Sequence, residues 1–558
     1  MNDKKVNAIL KLFNMEMETR SKSDALRWEA YSLTGHRTKE ISACDDSPVK
    51  DRRLYSAEAI KSVDTLSKGL MSAMMSPNSR WFGCSVVPRK YRMGQTALDD
   101  MEYTTYVVNS MMNEFARSNV YSESEVTAKD SIIGGYSCLF VTEDTNGTTN
   151  FQALIPWRCW FDTDIFGNPD TFFYRYTLDG YQMLEKFPDL DESIASACRK
   201  NPTSSRYDML FAIVNRKKMF DEDGSSLVFS KNMKYAAIQL CLNNNKIIEE
   251  SGYRDFPVVI HLWEKDSDSH YGTGLVMKYI AEFRRLAKLG LEYGISIENI
   301  NHPARYVPKS MQDSFSDDPR ARNYYVTSDQ IAARVDNPPD INAMQNAYMV
   351  QCDVIRRICF NDYMNFMTTH EQVYTATQVN QIKSESLAQI APISNNINNQ
   401  KLLPILKLTY ANMVNNGRIE LPESGVMADV DENGNNRNVI KFNFVSSISE
   451  QLTMYTHLNA IDATAERLAM WTQITGDTSL AMKNFKINDM LKIASKASGG
   501  DTDIIRTNEE TMAIENQIEL ERQQQLQLQM EKMQSESNRN NAGASNLNNM
   551  AGFNGGMQ

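Results

Sequence analysis

Between residues 275 and 366 the chain writes two long helical patterns around a proline-rich insert. That arrangement limits what it can fold into more than any other feature. Helical spacing of apolar residues covers 275–298 and returns over 342–366, while 299–340 holds five prolines, polar runs and a short strand, NYYVTS. Proline lacks the amide that a helix interior needs and clashes with the preceding turn, so the insert cannot continue either helix. Two helices of comparable length, interrupted in this way, give a hairpin-like stalk carrying a small head. On the first of them Val276, Tyr279, Ile280, Phe283, Leu286, Ala287, Gly290 and Gly294 fall on one stripe. Gly290 and Gly294 each cost a helix about 1 kcal/mol relative to alanine. They lie four apart on one face, where small residues permit another backbone to approach. The opposite face carries Lys278, Glu282, Arg285, Lys288 and Glu292. It is either a solvated face of a packed helix or the wall of an aqueous space between copies of that helix. On the second helix Met344, Ala347, Tyr348, Val354, Ile355 and Ile358 are expected to be buried, with Arg356 and Arg357 beside them.

The first helix is preceded by HYGTG, which raises the question of a phosphate loop. A dinucleotide fingerprint needs a third glycine, and position 277 is Met. A Walker loop needs Gly-Lys-Ser/Thr at its end, and none follows. Gly272 and Gly274 are therefore expected to turn the chain tightly into the helix.

The rest reads as α+β. Helical patterns cover 4–31, 54–75 (stopped by Pro77) and 96–118, and SRWFGCSVVP between the last two alternates like a strand. From about 131 to 260 the pattern turns to strands. SCLFVTEDTNGTTNFQALIP reads as a hairpin turning at Asn146-Gly147, and RCWFDTDIFGNPDTFFYRYT as another around Gly167-Asn168. DGSSLVFS, KYAAIQLCLNNNKIIEESGY and FPVVIHLWE continue the series. After the stalk, helix is expected over 376–389, 400–415 and 449–496, with a hairpin in MADVDENGNNRNVIKFNFV. From Thr511 a Gln- and Met-rich helix runs to an Asn/Gly tail, which is too polar to fold beyond about 538.

Several chemistries lose support. Eight cysteines include no C-x-x-C pair, and six scattered histidines show no zinc spacing, so reduced thiols are expected and neither metal nor cofactor. Asp429-Val-Asp431-Glu-Asn433-Gly434 matches half of a calcium loop, but its twelfth position is Ile440 and its flanks read as strands, so a hairpin turn is expected. Asp162-Thr-Asp164 fails at Phe166. No G-x-S-x-G elbow occurs, and no catalytic residue is assigned. The first 20 residues carry acids and do not read as a signal peptide, and no run of about 18 apolar residues suggests a membrane span. The formal net charge is −11, so any grip on nucleic acid must be local or weak.

Four stretches then carry a family likeness: LYSAEAIKSVDTLSKGLMSAMMSPNSRWFGCSV (54–86), SGYRDFPVVIHLWEKDSDSHYGTG (251–274), YTATQVNQIKSESLAQIAPISNNINNQKLLPILKLTYANMVNNGRIELP (374–422) and DIIRTNEE (503–510). In this order, over about residues 20–510, the chain resembles the portal, or head-to-tail connector, proteins of short-tailed phages. It departs from the family pattern at Gln378, where Glu is usual, and in having no Arg a few residues later.

The resemblance implies a portal-type fold, with a wing over 1–270, a stem of two helices at 271–298 and 342–366, and a clip at 299–341. A tunnel-lining helix and return to the wing would follow over 367–450, then a helical crown or barrel over 451–538 and a disordered tail over 539–558. It implies a ring, a dodecamer, at one capsid vertex of the virion, assembled in the host cytoplasm with major capsid and scaffolding proteins. Double-stranded DNA would pass through it, pumped by a separate terminase whose large subunit docks on the clip, with tail adaptor proteins following. The ring itself would hydrolyse nothing. Lys278, Arg284, Arg285, Lys288 and Lys383 are the candidates for centring DNA, each with an ordinary salt bridge as its alternative. Gly290 and Gly294 are candidates for contact between stem helices, and Tyr324 and Tyr325 for strand pairing between clips or within one.

Three other classes remain. A nuclease or nucleotide hydrolase would need a carboxylate cluster or phosphate loop and would show activity once purified. An internal virion protein ejected with the DNA would show membrane-active amphipathic helices and no stalk. A large cytoplasmic scaffold would have no phage role.

Overall fold

In the computed structural model, described residues are 2–37, 56–86, 95–220, 233–301, 340–364 and 390–420, apart from one or two positions at a time within them, with short pieces inside 305–334, 428–444, 467–470 and 523–535. The chain divides into two units, Met1–Ser449 and Glu450–Gln558. The first contains, in order, α1 (Asn2–Thr34), α2 (Glu58–Met74), β1 (Phe82–Val86), α3 (Gln95–Arg117), α4 (Val120–Gly134), β2 (Tyr136–Glu143), β3 (Thr149–Leu154), β4 (Cys159–Thr163) and β5 (Pro169–Asp179). Then come α5 (Gly180–Lys186), α6 (Glu192–Lys200), β6 (Arg206–Asn215), β7 (Tyr235–Cys241), β8 (Lys246–Tyr253), β9 (Val258–Leu262), α7 (Leu275–Lys278) and α8 (Ile280–Asn301). The unit ends with β10 (Arg305–Tyr306), β11 (Ala333–Arg334), α9 (Ile341–Ile358), α10 (Leu403–Asn415), β12 (Ala428–Val430), β13 (Asn436–Asn438) and β14 (Ile440–Phe444). The described pieces of the second unit are helical. The α+β class expected from the sequence is what the chain shows.

The core is a pair of antiparallel sheets, β4-β5-β6-β7-β8 and β3-β2-β9. Side chains alternate along each strand, so the larger sheet has two apolar faces. Leu210, Ala212, Val214, Ala236, Ile238 and Leu240 meet Val6, Ile9 and Phe13 of α1. The intervening residues Phe211, Ile213, Tyr235 and Ala237 meet Tyr136, Cys138, Leu154, Val258 and Ile260 of the smaller sheet. Fully burying one such side chain is worth about 1.5–3 kcal/mol, so these layers hold the unit together. Both expected hairpins form. β2 pairs with β3 and β4 with β5, turning at Gly147 (φ +72°) and Gly167 (φ +81°).

The sequence reading needs correction in several places. The strand region begins at Tyr136, because α4 occupies 120–134, and α5 and α6 interrupt it with helix. The buried face of α4 includes Ser124, Thr127, Asp130 and Ser131, so apolar periodicity does not reveal it. Only the first arm of the late hairpin pairs locally, β12 with β13. The VIKFNFV part crosses the chain, and β14 pairs with β1 from Phe82↔Phe444 to Val86↔Ile440. The second stalk helix is interrupted after Ile358, where Phe360 takes φ +52°, a left-handed conformation, and helical backbone resumes at Asn361, Asp362 and Met364. The seven described cysteines are all free thiols. DGSSLVFS, the Thr-Ala-Thr helix with Lys383, NYYVTS with Tyr324 and Tyr325, and most of 449–558 lie outside the described residues.

Candidate stem and the glycine joint at its base

The stalk expected from the sequence is present. α8 and α9 run antiparallel, and their inner residues meet in order. Gln351 donates through Nε2 to the Glu282 carbonyl at 3.2 Å and to its carboxylate at 2.8 Å. Farther out the rings of Tyr293 and Tyr348 stack at 6.0 Å, and Ser296 Oγ meets Met344 Sδ at 3.0 Å. Beyond the last turns β10 and β11 pair antiparallel, Arg305↔Arg334 and Tyr306↔Ala333, which brings the two ends of the insert together.

The buried stripe is shorter than periodicity suggests. Val276, Phe283 and Leu286 are buried, but Tyr279 is 40% exposed because the helix breaks there between α7 and α8. On α9 Ile355 is buried with Gln351 and Cys352, whereas Ala347 is exposed and Met344, Tyr348, Val354 and Ile358 are half-buried. A helix with one partner covers one side only, so Ile295, Ile297, Met349 and Val350 remain exposed toward the far end. Gly290 is half-buried. Gly294 is exposed, and a Cβ built on it would meet nothing within 4 Å.

Each helix of the stalk is rooted on a different helix. Arg356 of α9 reaches Glu58 of α2 at 2.6 Å, and the Asn361 amide lies 2.9 Å from Ser62 Oγ. Gly69 leaves room there for Met364, whose Sδ would lie 2.5 Å from an added Cβ. Arg284 of α8 instead holds Glu29 of α1, with Nη2 to Oε2 at 2.6 Å. This contact keeps the Glu29 carboxyl below its ordinary value.

The base of α7 is a crossing of three glycines. α4 ends at Gly135, whose φ of +90° only glycine adopts freely. A Cβ there would fall 2.1 Å from the Gly272 carbonyl oxygen. One on Gly274 would fall 2.5 Å from the Ile133 carbonyl oxygen, and one on Gly272 2.5 Å from that of Gly135. Trp263 and Arg27 donate to the Gly135 and Gly134 carbonyls at 2.9 and 2.7 Å, so the last turn of α4 is capped from outside. The GTG segment is thus a backbone-on-backbone joint, the tight turn that the sequence reading expected.

A third helix grips the same strand. Helical backbone runs over 390–415, and its turn at Asn398–Leu402 is a π-bulge. Asn396 donates to the Leu262 and Trp263 carbonyls, and Gln400 accepts from the Leu262 amide. The bulge turns Lys401 inward, 1% exposed, to donate to the Ser124 carbonyl at 2.7 Å. Burial pushes its ammonium down to about 7 despite the pull of Asp130. Neighbouring His261 is buried with both ring nitrogens unpartnered among the described residues, and burial, then Lys401, pushes it down to about 3. Burial alone would raise the Asp130 carboxyl, but Arg37 and His36 outweigh it.

Of the DNA-centring candidates, three are paired within the chain. Lys278 lies 2.8 Å from Glu264, Arg284 holds Glu29, and Lys288 lies 3.6 Å from Glu292. Arg285 is exposed and makes no ion pair among the described residues. Nothing in the local sequence pointed to Glu29 or Glu264 as partners, because each is brought in by the fold. The sequence reading also missed one grouping of candidate metal ligands, Glu16, Asp162 and His270, drawn from three separate elements.

The profile of the bacteriophage head to tail connecting proteins matches residues 6–505. A "Probable portal protein" of Bordetella phage BPP-1 is 21% identical over 365 residues, 63% of this chain and 64% of the relative. A "Portal protein" of Salmonella phage epsilon15 is 21% identical over 391 residues, 64% of this chain and 65% of the relative. The chain thus aligns with just under two thirds of each relative's length. The family profile covers nearly the whole chain, and the chain belongs to the family of bacteriophage head to tail connecting proteins.

Proposed function

We propose that this protein forms the portal ring at one vertex of a phage capsid, through which double-stranded DNA is packaged and later ejected. The observation that carries this reading is the antiparallel pair α8 and α9, rooted on a mixed α+β body and closed at its far end by β10 and β11. A closed ring needs two different faces of each subunit to meet head to tail. The stalk supplies both, with open Gly294 beside Ile295 on α8 and exposed Met349 and Val350 on α9. In this reading residues 1–270 are wing, the helix pair is stem, 299–341 clip, 367–450 the tunnel-lining return, and 451–538 crown or barrel. The ring is a dodecamer in the virion, built in the host cytoplasm against major capsid and scaffolding proteins. The clip meets the terminase large subunit and then tail adaptors, with Tyr324 and Tyr325 pairing between neighbours. The ring is structural and hydrolyses nothing.

The charge balance fits a sliding contact. Each phosphate neutralised by Lys or Arg adds salt-sensitive affinity, and many such contacts would hold DNA still. A net charge of −11, with Lys278, Arg284 and Lys288 each beside a carboxylate, favours a weak grip. Arg285 and Lys383 are the remaining candidates for centring the duplex.

Negative-stain electron microscopy of the purified protein tests the reading. Rings with a central hole and radial symmetry are expected. Gly294→Met is expected to fold normally and to lose the rings. Compact monomers at micromolar concentration, with scaffolding protein present, would overturn the reading.

A further inference from the structure

Glu16, Asp162 and His270 each offer one ligand atom, and these atoms lie within 4.8 Å of one another. They come from α1, β4 and the segment that leads into the glycine joint. Glu16 is the unusual member, since its side chain is 5% exposed in a helix face that packs on aromatic residues. Its Oε2 lies 2.9 Å from His270 Nε2 and 3.5 Å from the Tyr271 hydroxyl. Asp162 accepts from Lys218 Nζ at 2.6 Å and from the Thr163 amide at 2.7 Å, while the same Lys218 also reaches Asp170 at 2.7 Å. Lys218 is shared between Asp162 and Asp170, and His270 is the partner of Glu16. A buried carboxylate is costly unless it is paired or bound to a metal.

We propose that Glu16, Asp162 and His270 bind one divalent transition ion of the zinc and cobalt class. Two carboxylate oxygens and one imidazole nitrogen suit ions of intermediate softness, whereas calcium and magnesium favour oxygen alone. Zinc–ligand bonds of about 2.0–2.2 Å bring ligand atoms to roughly 3.5 Å apart, so a group whose atoms lie within 4.8 Å of one another needs to close by no more than about 1.3 Å. The Glu16–His270 edge is already short enough. The ion replaces the proton shared by that pair, and its remaining positions stay with water, because His270 and Asp162 are only partly buried. Tyr271, which donates to neither ring nitrogen, stays as an outer hydroxyl near Glu16. The bound ion would staple α1, the large sheet and the approach to the stem. This inference rests on the three side chains and does not depend on ring formation.

The test uses untagged full-length protein, stripped with a chelator and then given Zn²⁺ or Co²⁺. Calorimetry is expected to show one ion per chain, with a thermal midpoint that rises with ion concentration. Co²⁺ is expected to give a visible absorption band of a four- or five-coordinate site. Glu16→Gln, Asp162→Asn and His270→Gln should each weaken binding tenfold or more. Glu16→Gln keeps the shape of the buried side chain, and circular dichroism verifies that each variant is folded. No binding at tens of micromolar ion would overturn the proposal. So would full-strength binding in all three variants, which would place the ion on other side chains.

Discussion

Gly135 and Gly272 pass so closely that a Cβ on the first would sit 2.1 Å from the carbonyl oxygen of the second. Neither backbone can yield, since Gly135 caps α4 and Gly272 leads into the stalk. Gly135→Ala meets this clash and also the left-handed φ of +90°. It is expected to lower stability by at least about 2 kcal/mol in urea unfolding. Gly294→Ala is the control, because nothing lies within 4 Å of its added methyl. It should raise the stability of the unassembled chain by up to about 1 kcal/mol.

Lys401 gives stability a pH dependence on the alkaline side. Its folded value is pushed down to about 7 from an ordinary 10.5. The unfolded chain therefore binds more protons than the folded chain between those values, and stability rises with pH across that window. The gain is on the order of 5 kcal/mol at most. Lys401→Met should abolish the rise, measured as urea midpoints from pH 7 to pH 10. A rise that persists in the variant would place its origin elsewhere.

His261 acts on the acid side. Burial holds it neutral down to about 3, whereas an unfolded histidine takes up its proton near 6.5. The unfolded chain binds the extra proton as pH falls through this interval, so stability is lost from about 6.5 downward. His261→Leu removes both unpartnered ring nitrogens and should flatten the loss between pH 6.5 and 4.5 in thermal unfolding.

In the proposed channel, the carboxylates paired with Lys278, Arg284 and Lys288 would weaken the hold on DNA. Neutralising them with Glu29→Gln, Glu264→Gln and Glu292→Gln frees Arg284, Lys278 and Lys288. The triple variant is expected to bind duplex DNA more tightly, with a steeper fall in affinity as salt rises. An unchanged salt slope would show that these side chains do not reach the duplex.

Much of this arrangement was legible in the sequence, and the reasons differ by element. Gly147 and Gly167 announce hairpins because a tight turn demands positive φ. The stalk shows because proline cannot enter a helix. α4 stayed hidden because Ser124, Thr127, Asp130 and Ser131 take buried positions that apolar residues usually hold. The break at Tyr279 and the interruption at Phe360 are backbone events without a glycine or proline to signal them. The ion partners of Lys278, Arg284 and Arg356, and the grouping of Glu16 with His270, exist only once distant segments pack.

The pairing of β1 with β14 also sets a schedule for synthesis. Phe82 emerges from the ribosome long before Phe444, and β1 has no other strand partner among the described residues. At about 5–20 residues per second the wait is roughly 20–70 s. Throughout it the Phe82–Val86 strand keeps an unpaired edge, although Trp81 and Phe82 can already pack on Phe115. At this edge a nascent chain would gain from a chaperone, and slow translation would favour aggregation over completion.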